Sequence, residues 1–316
     1  MEKTEAVQAS SNPLKCLLVL RPRQWTKNLI AYAPILFGGR LGDHDALLRT
    51  TLCVVCLCLV SGAVYVANDI KDREADAKHP AKRLRPIASG QVSVRLATTI
   101  AVVALLTGIV GGFLIRPTLG VVLLLYVLLQ VVYNYSLKHQ PILDIFSIAS
   151  GFILRALAGG AAAHVILSGW FILCASLGAL FLGIEKRRQE LKVLGSEANS
   201  HRKSLDKYSM ELIDRMEAVI VPSLVTSYAI YSFFSPSGQW MMLTLPCVLY
   251  GILRYQVLST TKTLTGTPEE VLLKDRPIQL SILLWVLISV GVVYNWIPSG
   301  FEALVKAIDS LPAFTR

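Results

Sequence analysis

Nine stretches of mostly apolar residues run along the chain, at 25–40, 47–69, 94–115, 118–136, 141–163, 165–184, 212–234, 239–258 and 278–297. A helix needs about 20 such residues to cross the hydrocarbon layer of a bilayer. The pattern predicts an all-α polytopic membrane protein: nine transmembrane helices with a polar cap on one side, residues 1–316 forming a single integral-membrane domain. The first stretch is the least regular, because Trp25-Thr-Lys27-Asn28 opens it with polar groups and Pro34 interrupts it. Residues 1–20 read as a polar N-terminal segment in which 12–20 form a helix lying on the headgroups. No short apolar core precedes a small-residue cleavage site, so no secretory signal is expected. Strict alternation of apolar and polar positions is missing, which argues against an outer-membrane barrel.

Composition narrows the class further. Hydrophobic residues make up 53% of the chain and charged residues only 16%, with a mean hydropathy of +0.55. Those values exclude a disordered chain and an ordinary soluble enzyme. Most of the six cysteines lie within apolar runs, and Cys53, Cys56 and Cys58 read as small hydrophobes, so neither a disulfide framework nor a thiol metal site is expected. The net charge of +10 is unevenly spread. Of the 31 Lys and Arg residues, 25 fall on one side of the nine spans; Arg40, Arg49, Arg116, Lys306 and Arg316 fall on the other, and Arg155 lies within the fifth span. By the positive-inside rule the N-terminus and the basic loops are cytoplasmic and the C-terminus is outside. The long connections, 70–93, 185–211 and 259–277, are all on the basic side, where chemistry on a water-soluble substrate belongs. The two longest follow the second and sixth spans, a spacing that hints at two related halves.

One loop carries a distinctive constellation. Asn68-Asp69-Ile-Lys-Asp72-Arg73-Glu74-Ala-Asp76 ends the second span. At about 100° per residue, Asp72 lies about 60° and Asp76 about 20° from Asp69, so the three carboxylates are expected on one helix face with Asn68 at its border. Hard oxygen ligands of this kind suit Mg²⁺, which is bound through one or two carboxylates together with substrate phosphates. The following Lys82, Arg83 and Arg85 supply basic groups for phosphate oxygens. A solvated acidic helix end followed by positive-inside anchors is the bland reading, and three carboxylates beside a basic loop outweigh it.

The stretch Asn68-Asp69-x-x-Asp72-x-x-x-Asp76 followed by Arg85-Pro86-x-Ala-x-Gly90 resembles the first aspartate-rich motif of the UbiA superfamily of intramembrane prenyltransferases. Within that superfamily the chain is similar to members that move a phosphoribosyl group onto a polyprenyl phosphate. The stretches behind this are Arg21-Pro-Arg-Gln24-Trp25-Thr-Lys27-Asn28 with Ala33-Pro34, Tyr133-Asn-Tyr135-Ser-Leu-Lys138-His139, and Leu143-Asp144 with Ser150 through Arg155 to Gly160. The resemblance implies nine helices with a cytoplasmic cap, a bacterial plasma membrane and Mg²⁺ as cofactor. It implies phosphoribosyl diphosphate and a polyprenyl phosphate lipid as partners, with a product that supplies pentose to cell-envelope arabinan or a similar sugar. A homo-oligomer is permitted, and nucleic acid is not among the expected partners. Two departures favour phosphate-rich substrates over aromatic prenylation. Where a second aspartate-rich motif would stand the chain reads Glu185-Lys186-Arg187-Arg188-Gln-Glu190, and the family's tyrosine-to-lysine interval of four residues shrinks to two between Tyr135 and Lys138.

Under this reading Asp69, Asp72 and Asp76, assisted by Asn68, hold the metal and form the catalytic set. Lys82, Arg83, Arg85, Lys138, Lys186, Arg187 and Arg188 orient phosphates, Lys27 and Asn28 lie near the ribose donor, Asp144 meets ribose hydroxyls, and Tyr135 and Arg155 complete the substrate set. Several of these have competing readings. Lys27 and Asn28 serve equally as a snorkelling entrance to a span. Arg155, costing about 3 kcal/mol at mid-span, needs a partner from another helix and is as readily a structural contact as a ligand. Glu185 to Glu190 reads also as a self-paired helix end. Residues 201–206 look like solvated loop, and Tyr208, Glu211 and Asp214 enter the seventh span from the basic side. Loss of diphosphate builds positive charge on the anomeric carbon, and the lipid phosphate, already ionised, attacks from the opposite face without a general base. Prenyl transfer to an aromatic acceptor is the alternative within enzymes, and an anion transporter is the alternative outside them.

Overall fold

Four of the long helices begin at a side chain that accepts a hydrogen bond from the backbone N–H three residues on. Asp43 takes Ala46 N–H at 3.0 Å, Ser93 takes Leu96 at 3.2 Å, Ser209 takes Leu212 at 3.1 Å, and Asp275 takes Ile278 at 3.0 Å. Each satisfies a donor that the first helical turn otherwise leaves orphaned. The computed structural model describes residues 13–78, 82–194, 207–235, 237–261, 271 and 274–309, and these are almost wholly helical. The elements are α1 (Pro13–Val19), a 3-10 run (Pro22–Tyr32), α2 (Ala33–Phe37), α3 (His44–Lys71), α4 (Arg73–Lys78) and a 3-10 turn (Lys82–Leu84). Then follow α5 (Val94–Ile115), α6 (Pro117–Tyr135), α7 (Leu143–Ala163), α8 (Gly169–Leu194), α9 (Met210–Phe233), α10 (Leu245–Thr261), α11 (Arg276–Val293) and α12 (Trp296–Asp309).

Among the described residues, eight helices are long and apolar enough to cross a membrane. They match the second to ninth expected spans. The first expected span is different: Pro22–Tyr32 is 3-10 and only Ala33–Phe37 is α-helical. Pro22 at its start and Pro34 near its end remove backbone donors, and the polar groups between them favour a short, tight coil over a full span. The segment expected to lie on the headgroups is helical over Pro13–Val19. The sixth span also runs further than hydropathy implied, since α8 continues to Leu194. Its 26 residues extend about 39 Å, so the charged run Glu185–Glu190, at the start of an expected long connection, is helical, as its reading as a helix end implied. Residues 201–206 lie outside the described residues.

The chain divides into two compact units. The first comprises Met1–Ile35, Asp43–Tyr135 and Leu154–Ile166; the second comprises Leu36–Gly42, Ser136–Ile153 and Leu167–Arg316. Helix α7 therefore contributes 143–153 to the second unit and 154–163 to the first. In the first unit, Cys53, Cys56 and Leu57 of α3 pack with Leu119 and Leu123 of α6 and Ala158 and Ala162 of α7. A second cluster there joins Val19, Leu20, Ala63 and Val66 to Ile87 and Val92 of the basic loop. In the second unit, Ile145 and Ala149 pack with Leu180, Ile184, Tyr208 and Ile213. Outward positions such as Leu106, Leu114 and Leu128 are exposed, as expected where lipid is the solvent.

Gly159 of α7 marks the closest backbone approach in the first unit. A Cβ built there would stand 2.0 Å from the Ala31 carbonyl oxygen. Helix propensity alone would make Gly159→Ala stabilising by about 1 kcal/mol. The clash reverses the sign, and the substitution is expected to cost ~1–3 kcal/mol, read as a lowered thermal unfolding temperature in detergent micelles.

Candidate functional site

In the first unit the acidic motif and the basic loop meet. Helix α3 stops at Lys71, Asp72 takes the C-cap position, and α4 restarts at Arg73. Asp69 and Asp76 are buried at 5% and 4% exposure, whereas Asp72 is exposed. The loop then turns through Arg85-Pro86-Ile-Ala-Ser-Gly90. The Ser89 N–H and hydroxyl both donate to the Arg85 carbonyl, and Gly90 adopts the φ of +74° that the turn into α5 requires. Ile87 and Val92, buried against α3, fix this loop in place.

The loop thereby presents Arg85 to the acids. Its Nη1 donates to Asp69 Oδ1 at 3.1 Å and to Asp76 Oδ2 at 2.5 Å. Arg21 reaches the same carboxylate, with Nε donating to Asp69 Oδ2 at 3.0 Å and Nη2 to Oδ1. Two buried carboxylates thus converge on a single cationic nitrogen. Of the expected set Asn68, Asp69, Asp72 and Asp76, the two buried acids Asp69 and Asp76 are drawn together. The interruption at Asp72 leaves that carboxylate in solvent, and among the described residues no group of three or more acid, histidine or cysteine side chains is assembled to hold a metal. Asp69 and Asp76 are two hard oxygen donors already gathered around one positive charge. That fits Mg²⁺, which completes its shell with water and substrate phosphate. Asn68 is half-buried, and its carbonyl accepts the Asp72 N–H. Lys82 and Arg83 are exposed on the 3-10 turn.

Other expected ligands of the first unit bind one another. Asn28 is fully buried, and its Oδ1 accepts from Arg155 Nε at 2.8 Å. Its Nδ2 donates to Cys58 Sγ and Ser61 Oγ. Arg155 also donates to the Tyr126 hydroxyl at 2.7 Å and lies 4.8 Å from a tyrosine ring centroid, that of Tyr126 itself. Asn28 and Arg155, expected among the substrate-binding residues, lie in a buried network that solvates the mid-span guanidinium. Lys27 is half-buried next to it. Tyr135 is exposed, with the Lys71 ammonium 4.4 Å above its ring.

In the second unit, Asp144 is fully buried at the start of α7. Its Oδ1 accepts from the Tyr208 hydroxyl at 2.7 Å, and Oδ2 pairs with Arg187 Nε at 2.9 Å. The Tyr208 hydroxyl also accepts the N–H of Ile142, a β-branched residue held at φ 69°. Burial, reinforced by the Asp144 carboxylate, pushes the Tyr208 phenol well above its usual range, so it remains a proton donor. Arg187, with no exposed surface, also pairs with Glu190. Arg188 contacts three acids: Glu185 Oε1 at 2.9 Å, Asp214 Oδ1 at 2.6 Å, and Glu217. Ser259 and Gln256 of α10 extend the network to Glu185 and Glu217.

Arg187 and Arg188, expected to orient phosphates, are paired with acids of this cluster. Their partners come from α7, α9 and the same helix, so the basic run is basic only in sequence. Asp144, expected near ribose hydroxyls, has both oxygens engaged internally. Lys186 and Lys138 are half-buried. Arg21, present in the motif stretch but not among the expected site residues, and Glu217, Gln256 and Ser259, absent from the expectations, join these networks. The i, i+3 spacing of Glu217 from Asp214 and of Ser259 from Gln256 was the available signal.

The profile of the UbiA prenyltransferase family matches residues 30–268. A protein of Mycobacterium tuberculosis H37Rv named decaprenyl-phosphate phosphoribosyltransferase is 37% identical over 273 residues, 84% of this chain and 90% of its own length. One of the same name from Corynebacterium glutamicum is 35% identical over 284 residues, 87% and 85% of the two chains. The fold is similar to that of a UbiA homolog from Archaeoglobus fulgidus solved with GPP and Mg²⁺. The TM-score is 0.68 at 18% identity, covering 89% of this chain and 99% of that one.

Proposed function

We infer that this chain, which belongs to the UbiA prenyltransferase family, transfers 5-phosphoribose from phosphoribosyl diphosphate to a polyprenyl phosphate and releases diphosphate. The observation that carries the reading is the convergence of buried Asp69 and Asp76 on one cationic centre beside a basic turn. The relatives named for phosphoribosyl transfer, matched over most of their length, support the choice of donor over a prenyl diphosphate.

Asp69 and Asp76 would hold Mg²⁺, which when bound offsets the charge of a departing diphosphate. The chain's own residues do the rest. Arg85, set by the Pro86–Gly90 turn, faces phosphate oxygens as a bidentate donor. Lys82 and Arg83 extend that positive surface into solvent, where a water-soluble donor arrives. The buried carboxylates also stabilise positive charge developing at the anomeric carbon. Because the lipid phosphate is ionised at neutral pH, no residue has to remove a proton. Lys186 and Lys138 are the remaining basic candidates for a substrate phosphate, with Tyr135 beside Lys71. The exposed apolar helix surfaces let a polyprenyl tail remain in lipid. The positive-inside distribution supports a cytoplasmic position for the basic turn.

The test uses purified protein with Mg²⁺, polyprenyl phosphate and donor labelled in the ribose. Label is expected in the organic phase, with one diphosphate released per transfer. Label remaining in the aqueous phase, together with turnover of a prenyl diphosphate and a phenolic acid, would replace this reading with prenyl transfer.

A further inference from the structure

Arg21 stands in a conformation that its sequence position disfavours. Its φ of 54° and ψ of 63° are left-handed, and it immediately precedes Pro22. A residue before proline is pushed towards extended backbone, and a left-handed non-glycine persists only where its surroundings impose it. Here they do. The guanidinium grips both oxygens of Asp69 and lies 5.4 Å from the Tyr65 ring centroid. Together with Arg85 this makes an alternating chain of charges, Arg21–Asp69–Arg85–Asp76. Its acids are buried and its arginine side chains are 26% and 30% exposed.

Three carboxylate oxygens, both of Asp69 and Oδ2 of Asp76, already accept from guanidinium groups. A cation bridging the two acids has to displace Arg85 and weaken the grip of Arg21. The chain is neutral as it stands, two acids against two arginines. A divalent ion entering alone would set two unbalanced charges beside two guanidinium groups in a partly dehydrated site. A diphosphate arriving with it supplies the missing negative charge and gives the displaced arginines a new bidentate partner.

We propose that Arg21 and Arg85 form an internal counter-ion latch, which reserves Asp69 and Asp76 until a divalent cation and a diphosphate-bearing donor arrive together. The proposal rests on the reading of Asp69 and Asp76 as metal-holding acids and adds how that site is regulated. Arg21 is a positioning residue in it. Its consequence is reciprocal coupling: donor raises metal affinity and metal raises donor affinity by the same factor.

The experiment measures binding of Mn²⁺, a hard octahedral ion like Mg²⁺, to the full-length protein in micelles without substrate, from the loss of the free-ion paramagnetic resonance signal. Arg21→Gln is expected to bind Mn²⁺ about 10-fold more tightly than the unaltered chain, because a competing positive charge is gone. Arg21→Lys, which keeps the charge, should stay within about twofold. In the companion measurement, Mg²⁺ should tighten binding of labelled phosphoribosyl diphosphate by at least about 10-fold in the unaltered chain, and by less in Arg21→Gln. A purely structural Arg21 predicts Mn²⁺ affinity equal to or below that of the unaltered chain, and that result overturns the latch. Should Arg21→Gln fail to fold, Arg85→Gln is read in the same direction. Asp69→Asn separates the two claims: if it binds Mn²⁺ as the unaltered chain does, the metal reading itself falls. If it loses the ion while Arg21→Gln gains nothing, only the latch falls.

Discussion

Asp76→Asn is expected to lower the transfer rate about 100-fold or more while the protein stays folded. The substitution keeps the side chain's shape and removes its charge, so one of two hard oxygen donors is lost. An amide also turns a donor group towards Arg85 Nη1, which now donates to Asp76 Oδ2 at 2.5 Å. Asp69→Asn should behave alike, since its carboxylate is buried and shared between Arg21 and Arg85. Asp72→Asn is the contrasting case. Its side chain is in solvent at the break between α3 and α4, and a loss below about fivefold is expected. Initial rates of label transfer, with helical content and thermal unfolding as folding controls, check all three. Equal losses for Asp72→Asn and Asp76→Asn would restore the three-carboxylate arrangement; an active Asp76→Asn would remove the paired one.

Arg188→Ala should instead act on stability, by about 3–5 kcal/mol. Removing the guanidinium leaves Glu185 with no exposed side-chain surface and Glu217 nearly buried, both without their cation. Asp214 is largely exposed and adds little. The expected result is a sharp fall in folded yield and in the unfolding temperature in mixed micelles. Lys186→Ala, two residues earlier and half-buried, should fold normally and raise the KM for phosphoribosyl diphosphate. If Arg188→Ala folds with unchanged stability and only its KM rises, the guanidinium is a phosphate ligand after all.

These two outcomes separate what hydropathy and spacing reveal from what they hide. The eight long helices were legible because lipid demands the same thing of each: an unbroken apolar run with its polar groups bonded internally. The seven-residue interval from Asp69 to Asp76, close to two helical turns, correctly put those acids on one side. The exposure of Asp72 was not legible, since it depends on a local break in the helix. The first span misled because apolar content resembles a membrane helix even where two prolines enforce a tighter coil. Arg155 was known to need a partner, but Asn28 lies 127 positions away in sequence. The self-paired helix end anticipated the local partners Glu185 and Glu190, whereas the same distance problem hid Asp144, Asp214 and Glu217. The pairing of Arg21 with Asp69 was not legible, because the two lie 48 positions apart in sequence.

The 3-10 run from Pro22 to Tyr32 joins two of the features above. Its eleven residues, rising about 2.0 Å each, form a strut some 22 Å long. Asn28, within it, is tied to Arg155, and Ala31 near its far end rests on Gly159. Arg21 projects from the near end. A bulkier side chain at position 159 meets the Ala31 backbone and is expected to displace this run. Damage introduced deep among the apolar helices would then be felt as a loosened hold on Asp69, at the rim where the polar substrate is met.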